Sequence, residues 1–345
     1  MKIKILLVAV VLVASTRPAS APVLPPDPTP AMTPEIRAAV ENGVKFLAAR
    51  QGGDGFWKTQ SCPIVMSSMA GLAIASYEPS RGGPYWEPLD LLVKGILDIQ
   101  EPSGYFRRIN EGDRPAFGQA FSVLFLSQMY GMMDPETNDR IAGALKTGVE
   151  YIVRKQHQDG SWYQNYLSGH NDLVTIYHVL ALRAAQHCGY IVPRETIDRA
   201  IKFINTFGLQ FSSPGRTAAC AATLLAAADY GNKNLPAILK QMRASIDYNL
   251  PTMSFPMFFH MNAALVMYFY GGAAWEDYYT KFSDKALKLQ HENGSWGPYK
   301  NVHWLIPDEV YTTANMVSIL QMPVESLPYW QYVKADFNTW QGEGK

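Results

Sequence analysis

Four short stretches of this chain are near copies of one another, and their repetition constrains the fold more than any other feature. They read QGGDGFW from Gln51 to Trp57, QEPSGYF from Gln100 to Phe106, QHQDGSW from Gln156 to Trp162 and QHENGSW from Gln290 to Trp296. Each opens on Gln, closes on an aromatic ring and carries Gly two places before that ring. Each also follows an amphipathic segment and precedes an apolar one. The stretch is therefore a connector inside a repeating unit.

The unit itself is a pair of helices. Ile36, Val40, Val44 and Leu47 recur at helical spacing, with Glu41 and Lys45 on the other face and Thr33-Pro34 as a start signal. That pattern predicts an outer, amphipathic helix. The run from Val65 to Tyr77 is apolar or small around its whole circumference, which predicts a helix buried on all sides. The alternation continues with Leu89 to Ile99 and Ala116 to Tyr130, then with Ile141 to Val153 and Leu173 to Ala185. Ile197, Ile201 and Ile204 precede the Ala-rich run from Thr217 to Gly231; Leu235 to Tyr248 precedes Met257 to Gly271; Tyr278 to Gln290 precedes Val310 to Met322. Units four and five lack most of the connector. LVTIYHV, from Leu173, reads locally as strand, but the repeat overrides propensity.

Six hairpins whose second helices are apolar all round cannot form an open solenoid, because one face of each inner helix would stay wet. Closing them into a ring buries those faces. The predicted fold is all-α, an α/α toroid with an inner and an outer ring of helices over residues 34–322. Before it, Met1-Lys2-Ile3-Lys4, the apolar run ILLVAVVLVAS and Ala19-Ser20-Ala21 predict a secretory signal peptide over residues 1–21. Residues 22–33 read as a Pro-rich linker and 323–345 as a C-terminal strap carrying Tyr329, Trp330, Tyr332, Phe337 and Trp340. A secreted or periplasmic protein with no transmembrane segment after signal removal is the expectation.

Charge excludes some partners. With 30 basic and 30 acidic residues and no basic run, nucleic acid is not among them. Three cysteines, Cys62, Cys188 and Cys220, are too few for a disulfide scaffold, and units one and four place Cys62 and Cys220 on opposite sides of the ring, unpaired. No Cys-x-x-Cys or His-Glu-x-x-His spacing marks a metal site.

The Gln-x-x-Asp/Asn-Gly-x-Trp connectors, set between outer and inner helices, resemble the QW motifs of the terpenoid cyclase and protein prenyltransferase superfamily, the toroids of squalene-hopene cyclases and prenyltransferase β subunits. The resemblance covers residues 35 to 321. It implies that Gln51, Gln156, Gln290, Trp57, Trp162 and Trp296 are scaffold, with Gln and Trp stacking and tying neighbouring helices together. It does not extend to chemistry. The Asp-x-Asp-Asp-Thr-Ala acid of class II cyclases has as its nearest counterpart Glu309-Val-Tyr-Thr-Thr-Ala314, where only one carboxylate and the Thr-Ala agree. The prenyltransferase zinc set of Asp-x-Cys and a distant His is missing, since Tyr177-His178 has no such partner, and the thioester Gly-Cys-Gly-Glu-Gln is also missing.

Candidate functional residues are those at the N-terminal ends of the inner helices, which a toroid brings to one mouth of its central cavity. Asp172, His170 and Asp308 are the catalytic candidates, although Asp172 and Asp308 stand where capping alone explains a carboxylate. Asp113, Arg114, Arg216, His260, His303, Glu309 and Tyr311 are candidates for binding a ligand. Cys62, His303 and Asp308 could converge through ring closure as a weak metal or thiol/imidazole constellation. Aromatic and Met side chains, including Phe121, Phe125, Tyr177, Phe258, Phe259, Met267, Tyr268 and Tyr270, suit an apolar, isoprenoid-like ligand, and equally suit a packed core or a sugar platform. Three functions follow: binding of such a ligand in the cavity, an extracellular carbohydrate-active enzyme using Asp113, Asp172 and Asp308, or a non-catalytic interaction scaffold. Carboxylates in an open groove favour the second; a pocket walled by Phe, Tyr and Met favours the first.

Overall fold

A computed structural model describes residues 32–59, 61–77, 80–108, 114–165, 172–206, 213–299, 308–324 and 327. The signal segment, nearly all of the linker and nearly all of the strap lie outside these residues. Among them are twelve α-helices and a 3-10 turn at Met322–Val324, which occupies the start of the expected strap. The outer helices are α1 (Pro34–Ala49), α3 (Trp86–Asp98), α5 (Pro135–Arg154), α7 (Arg194–Asn205), α9 (Leu235–Ala244) and α11 (Gly272–Leu289). The inner helices are α2 (Pro63–Tyr77), α4 (Pro115–Met129), α6 (Asp172–His187), α8 (Pro214–Ala226), α10 (Pro256–Tyr270) and α12 (Glu309–Gln321).

Helix starts follow the local chemistry. Thr33, Asp134, Ser213 and Asp308 each accept a hydrogen bond from a backbone N–H three residues on, and Pro occupies the first turn after the first three. The outer helices bury one stripe, as α1 does with Ile36, Val40, Val44 and Leu47. The inner helices bury almost every residue; in α4 all positions from Ala116 to Met129 are buried. Successive inner helices pack against one another from α2 through α12, and α12 packs back on α2 and on α1. The toroid is closed. No helix among the described residues is long and apolar enough to cross a membrane.

The connectors explain the closure. In each, the Gln side-chain amide donates to the Gly carbonyl of its own stretch and to a backbone carbonyl of the next outer helix: Gln51 to Pro88, Gln100 to Ala144, Gln156 to Thr196, and Gln290 to Ala39, at 2.8 to 2.9 Å. The last of these joins unit six to unit one. Each connector Gly presses on the same outer helix three residues further along. Its φ lies between +82° and +90°, and a Cβ added there would stand 2.1 to 2.5 Å from the backbone oxygen of Leu91, Thr147, Arg199 or Asn42. Only Gly fits such a contact.

The Trp residues tie neighbouring helices within a unit rather than between units. The indoles of Trp57, Trp162 and Trp296 donate at 2.8 Å to Leu47, Ile152 and Ala286, each in the outer helix of the same unit. Their backbone N–H groups, and that of Phe106, donate to Ser67, Thr175, Thr313 and Gln119 of the inner helix that follows. The Trp locks a hairpin internally, and the Gln carries the link to the next one.

Candidate functional site

The N-terminal ends of the inner helices surround a narrow axial cavity. Its wall is Cys62, Val65 and Met69 from the start of α2, Phe117 and Phe121 from α4, Tyr177 from α6, Phe255 and Phe258 at α10, and Tyr311 from α12. Five of the six inner helices contribute. The Ala-rich α8 stands back because Phe258 lies over it, so close that a Cβ on Gly215 would fall 2.5 Å from the ring. Two grooves on the outer surface are wider, but both are rimmed with charge, by Arg243, Asp277 and Lys281 in one and by Arg183, Arg194, Asp198 and Lys202 in the other. Of these three, the axial cavity combines enclosure with an apolar wall.

Aromatic rings form one side of that wall as a cluster. Phe121 lies 4.8 Å from Tyr177 between ring centroids, and Phe117 lies 6.0 Å away in an edge-to-face arrangement. Burial pushes the Tyr177 phenol up to about 12. It pushes Tyr311 higher still, with Tyr177 nearby adding to the effect. Both phenols are neutral at physiological pH, and the described wall contains no carboxylate or cation. Cys62 and Phe255 both have left-handed backbone, φ 49° and 52°, immediately before or at the start of an inner helix. For residues other than Gly this conformation costs roughly 1–3 kcal/mol. Here it turns two side chains into the cavity.

The charged candidates stand beside this wall rather than on it. Asp172, 5% exposed, opens α6 and is held by Arg216 of α8, whose Nη1 reaches its two oxygens at 2.5 and 2.6 Å. Asp308 caps α12, accepting from the Tyr311 N–H at 2.8 Å, and burial raises its pKa above the usual carboxylate range. Glu309 turns outward to the seam between units six and one, where it meets Arg50 at 3.3 Å and Ser295 at 3.2 Å. Arg114 occupies the N-cap position of α4.

His260 does not reach the mouth. It is fully buried between the rings, with Nδ1 at 2.9 Å from the Tyr278 hydroxyl of α11 and Nε2 at 2.8 Å from the Asp247 carbonyl. His178 also turns away from the axis, stacking on Trp162 at 5.0 Å while its neighbour Tyr177 faces the cavity. Asp113, His170 and His303 lie outside the described residues, so the convergence of Cys62, His303 and Asp308 does too. Among the described residues no group of three His, Cys, Asp or Glu side chains could hold a metal ion. None of Cys62, Cys188 and Cys220 is joined in a disulfide.

Sequence reasoning named Phe121, Tyr177, Phe258 and Tyr311 and missed Val65, Met69, Phe117 and Phe255. Phe117 lies one helical turn before Phe121, a spacing that could have pointed to it. Phe125, Phe259 and Tyr268 are core residues, Met267 lines an outer groove, and Tyr270 is 37% exposed at the opposite end of α10.

The architecture has relatives among solved structures. A variant of the type II terpene cyclase MstE from Scytonema, in complex with the substrate geranylgeranyl dihydroxybenzoate, aligns with a TM-score of 0.55 at 16% identity, over 85% of this chain and 98% of that one. Another MstE variant, in complex with the product merosterolic acid A, aligns equally well. A protein from Actinoplanes aligns with a TM-score of 0.56 at 14% identity, over 84% and 99%. The chain has a terpene cyclase-like fold. No protein-family model matches the sequence, and no curated protein matches it either.

Proposed function

We propose that this protein binds an apolar, isoprenoid-like ligand in its axial cavity. The observation that carries the reading is the wall itself: Val65, Met69, Phe117, Phe121, Tyr177, Phe258 and Tyr311 present hydrocarbon and π-faces and no charge. Such a surface recognises a chain by burial and by shape. Among the described residues it carries no carboxylate pair of the kind that glycoside chemistry uses. The isoprenoid complexes of the MstE variants, on the same fold, support the same ligand class.

The role is binding without proton-initiated cyclisation. The class II acid motif is missing from Glu309 to Ala314, Asp308 is engaged as a helix cap, and Asp172 is neutralised by Arg216. The protein is exported, with the apolar segment from Ile5 to Ser15 as its signal. Calorimetric titration with C10 and C15 isoprenoid alcohols and with oligosaccharides tests the ligand class. Isoprenoid binding weakened at least tenfold by Phe121→Ala is the expected result, and saturable binding of an oligosaccharide alone would overturn it. N-terminal sequencing of the protein from its own host tests export, since an intact Met1 on the mature chain is incompatible with signal removal.

A further inference from the structure

One helical turn beneath the cavity, behind the residues that line it, two inner helices carry buried amides. Tyr311 is on the wall, and Asn315 lies four residues further along the same face of α12. Asn262 stands in the same relation to Phe258 on α10. Each amide nitrogen donates at 2.8 Å to the backbone carbonyl four residues back, Asn315 to Tyr311 and Asn262 to Phe258. Both side chains are thereby folded toward the N-terminal end of their helices, which is the cavity end. Asn262 also lies beside the Tyr177 phenol and holds its pKa down against the larger effect of burial. The Asn315 carbonyl oxygen has no hydrogen-bond partner, although the residue is only 2% exposed. A buried acceptor left in this state costs about 1–3 kcal/mol, and leucine at the same place would cost nothing of the kind.

We infer that Asn315 Oδ1, below Tyr311, is a polar floor to the cavity that accepts a hydrogen bond from the ligand, so that the molecule bound is an apolar chain whose leading end carries a hydroxyl. The inference rests on the apolar-ligand reading and adds the orientation of that ligand, hydroxyl inward and hydrocarbon against the aromatic wall. An amide oxygen is an acceptor only. An alcohol or phenol satisfies it; an ether, an ester or a plain hydrocarbon of the same skeleton enters the cavity and leaves it orphaned. A site of this kind discriminates between the members of such a pair through the unpaired group that the wrong one leaves behind.

The test is a series of C10 probes titrated against the full chain: geraniol, its methyl ether and the hydrocarbon myrcene. Geraniol should bind about tenfold more tightly than the methyl ether, the value of one buried hydrogen bond. Asn315→Leu should abolish that preference, leave myrcene binding intact and raise the Tm, because the orphaned acceptor is gone. Equal affinity for all three probes in the unsubstituted protein would overturn the polar floor, a water then serving Asn315, and would leave the apolar-ligand reading standing. Binding of none of them would overturn both. If Asn315→Leu fails to fold, the probe series on the unsubstituted protein decides alone.

Discussion

Gly160 and Gly143 sit within one repeat, yet substitution should move stability in opposite directions. Gly160 has φ +90° and would push a Cβ to 2.2 Å from the Arg199 backbone oxygen, whereas Gly143, exposed in α5, meets nothing within 4 Å. Gly160→Ala should destabilise by about 2–4 kcal/mol in urea unfolding, because neither backbone can yield. Gly143→Ala should stabilise by up to about 1 kcal/mol, the helix-propensity difference alone. At the ion pair between α6 and α8 a carboxylate with 5% exposure faces an arginine with 32% of its side chain exposed. Asp172→Ala should cost about 1–3 kcal/mol, less than for a fully buried pair, since water can reach the guanidinium left behind. The same measurement on Arg216→Met should show the larger loss, because there the buried partner keeps its charge.

The connector is the element at which the toroid is held together, and its four copies are not equivalent. Three join units adjacent in sequence, while Gln290 joins residues 251 apart. Gln290→Leu should therefore raise hydrogen exchange across α1 and α12, on both sides of the seam, while α5 to α8 stay protected. Uniform acceleration across all helices would show that the link has no local role. Much of this element was legible in advance: Gln, Gly and Trp recur at fixed spacing because each makes a contact with the backbone, which is the same in every unit. The cavity wall was less legible. On a helix apolar all round, periodicity carries no information about which face meets the axis. Phe121 and Phe125 are one turn apart and alike in type, yet Phe121 lines the cavity and Phe125 packs where a Cβ on Gly71 would come within 2.6 Å of its ring. His260 was placed at the mouth for the same reason; its rotation toward Tyr278 is a property of packing.

At the scale of the whole molecule, two buried histidines among the described residues oppose acid. His178 and His260 are both fully buried, and burial lowers each pKa to about 4. Above pH 6.5 neither the folded nor the unfolded chain protonates them and stability is level. As pH falls from 6.5 toward 4 the unfolded chain takes up protons that the folded one refuses, so stability is lost, by roughly 3 kcal/mol for each histidine over that interval. Tm should decline steadily below pH 6.5, and His178→Gln should halve the slope between pH 6 and 5. A profile flat to pH 5 would mean that the two sites open to water.

The seam at Gln290 and Ala39 also sets the order of events during synthesis. The apolar stripe of α1 is made first and its partners on α11 and α12 last, with 251 residues between the two halves of the link. At about 5–20 residues per second, roughly 10 to 50 s pass before the partner of that stripe exists. Until then α1 presents Ile36, Val40, Val44 and Leu47 with only part of their eventual cover. Closure of this seam, rather than the formation of any single helix, is the event at which the ring becomes whole.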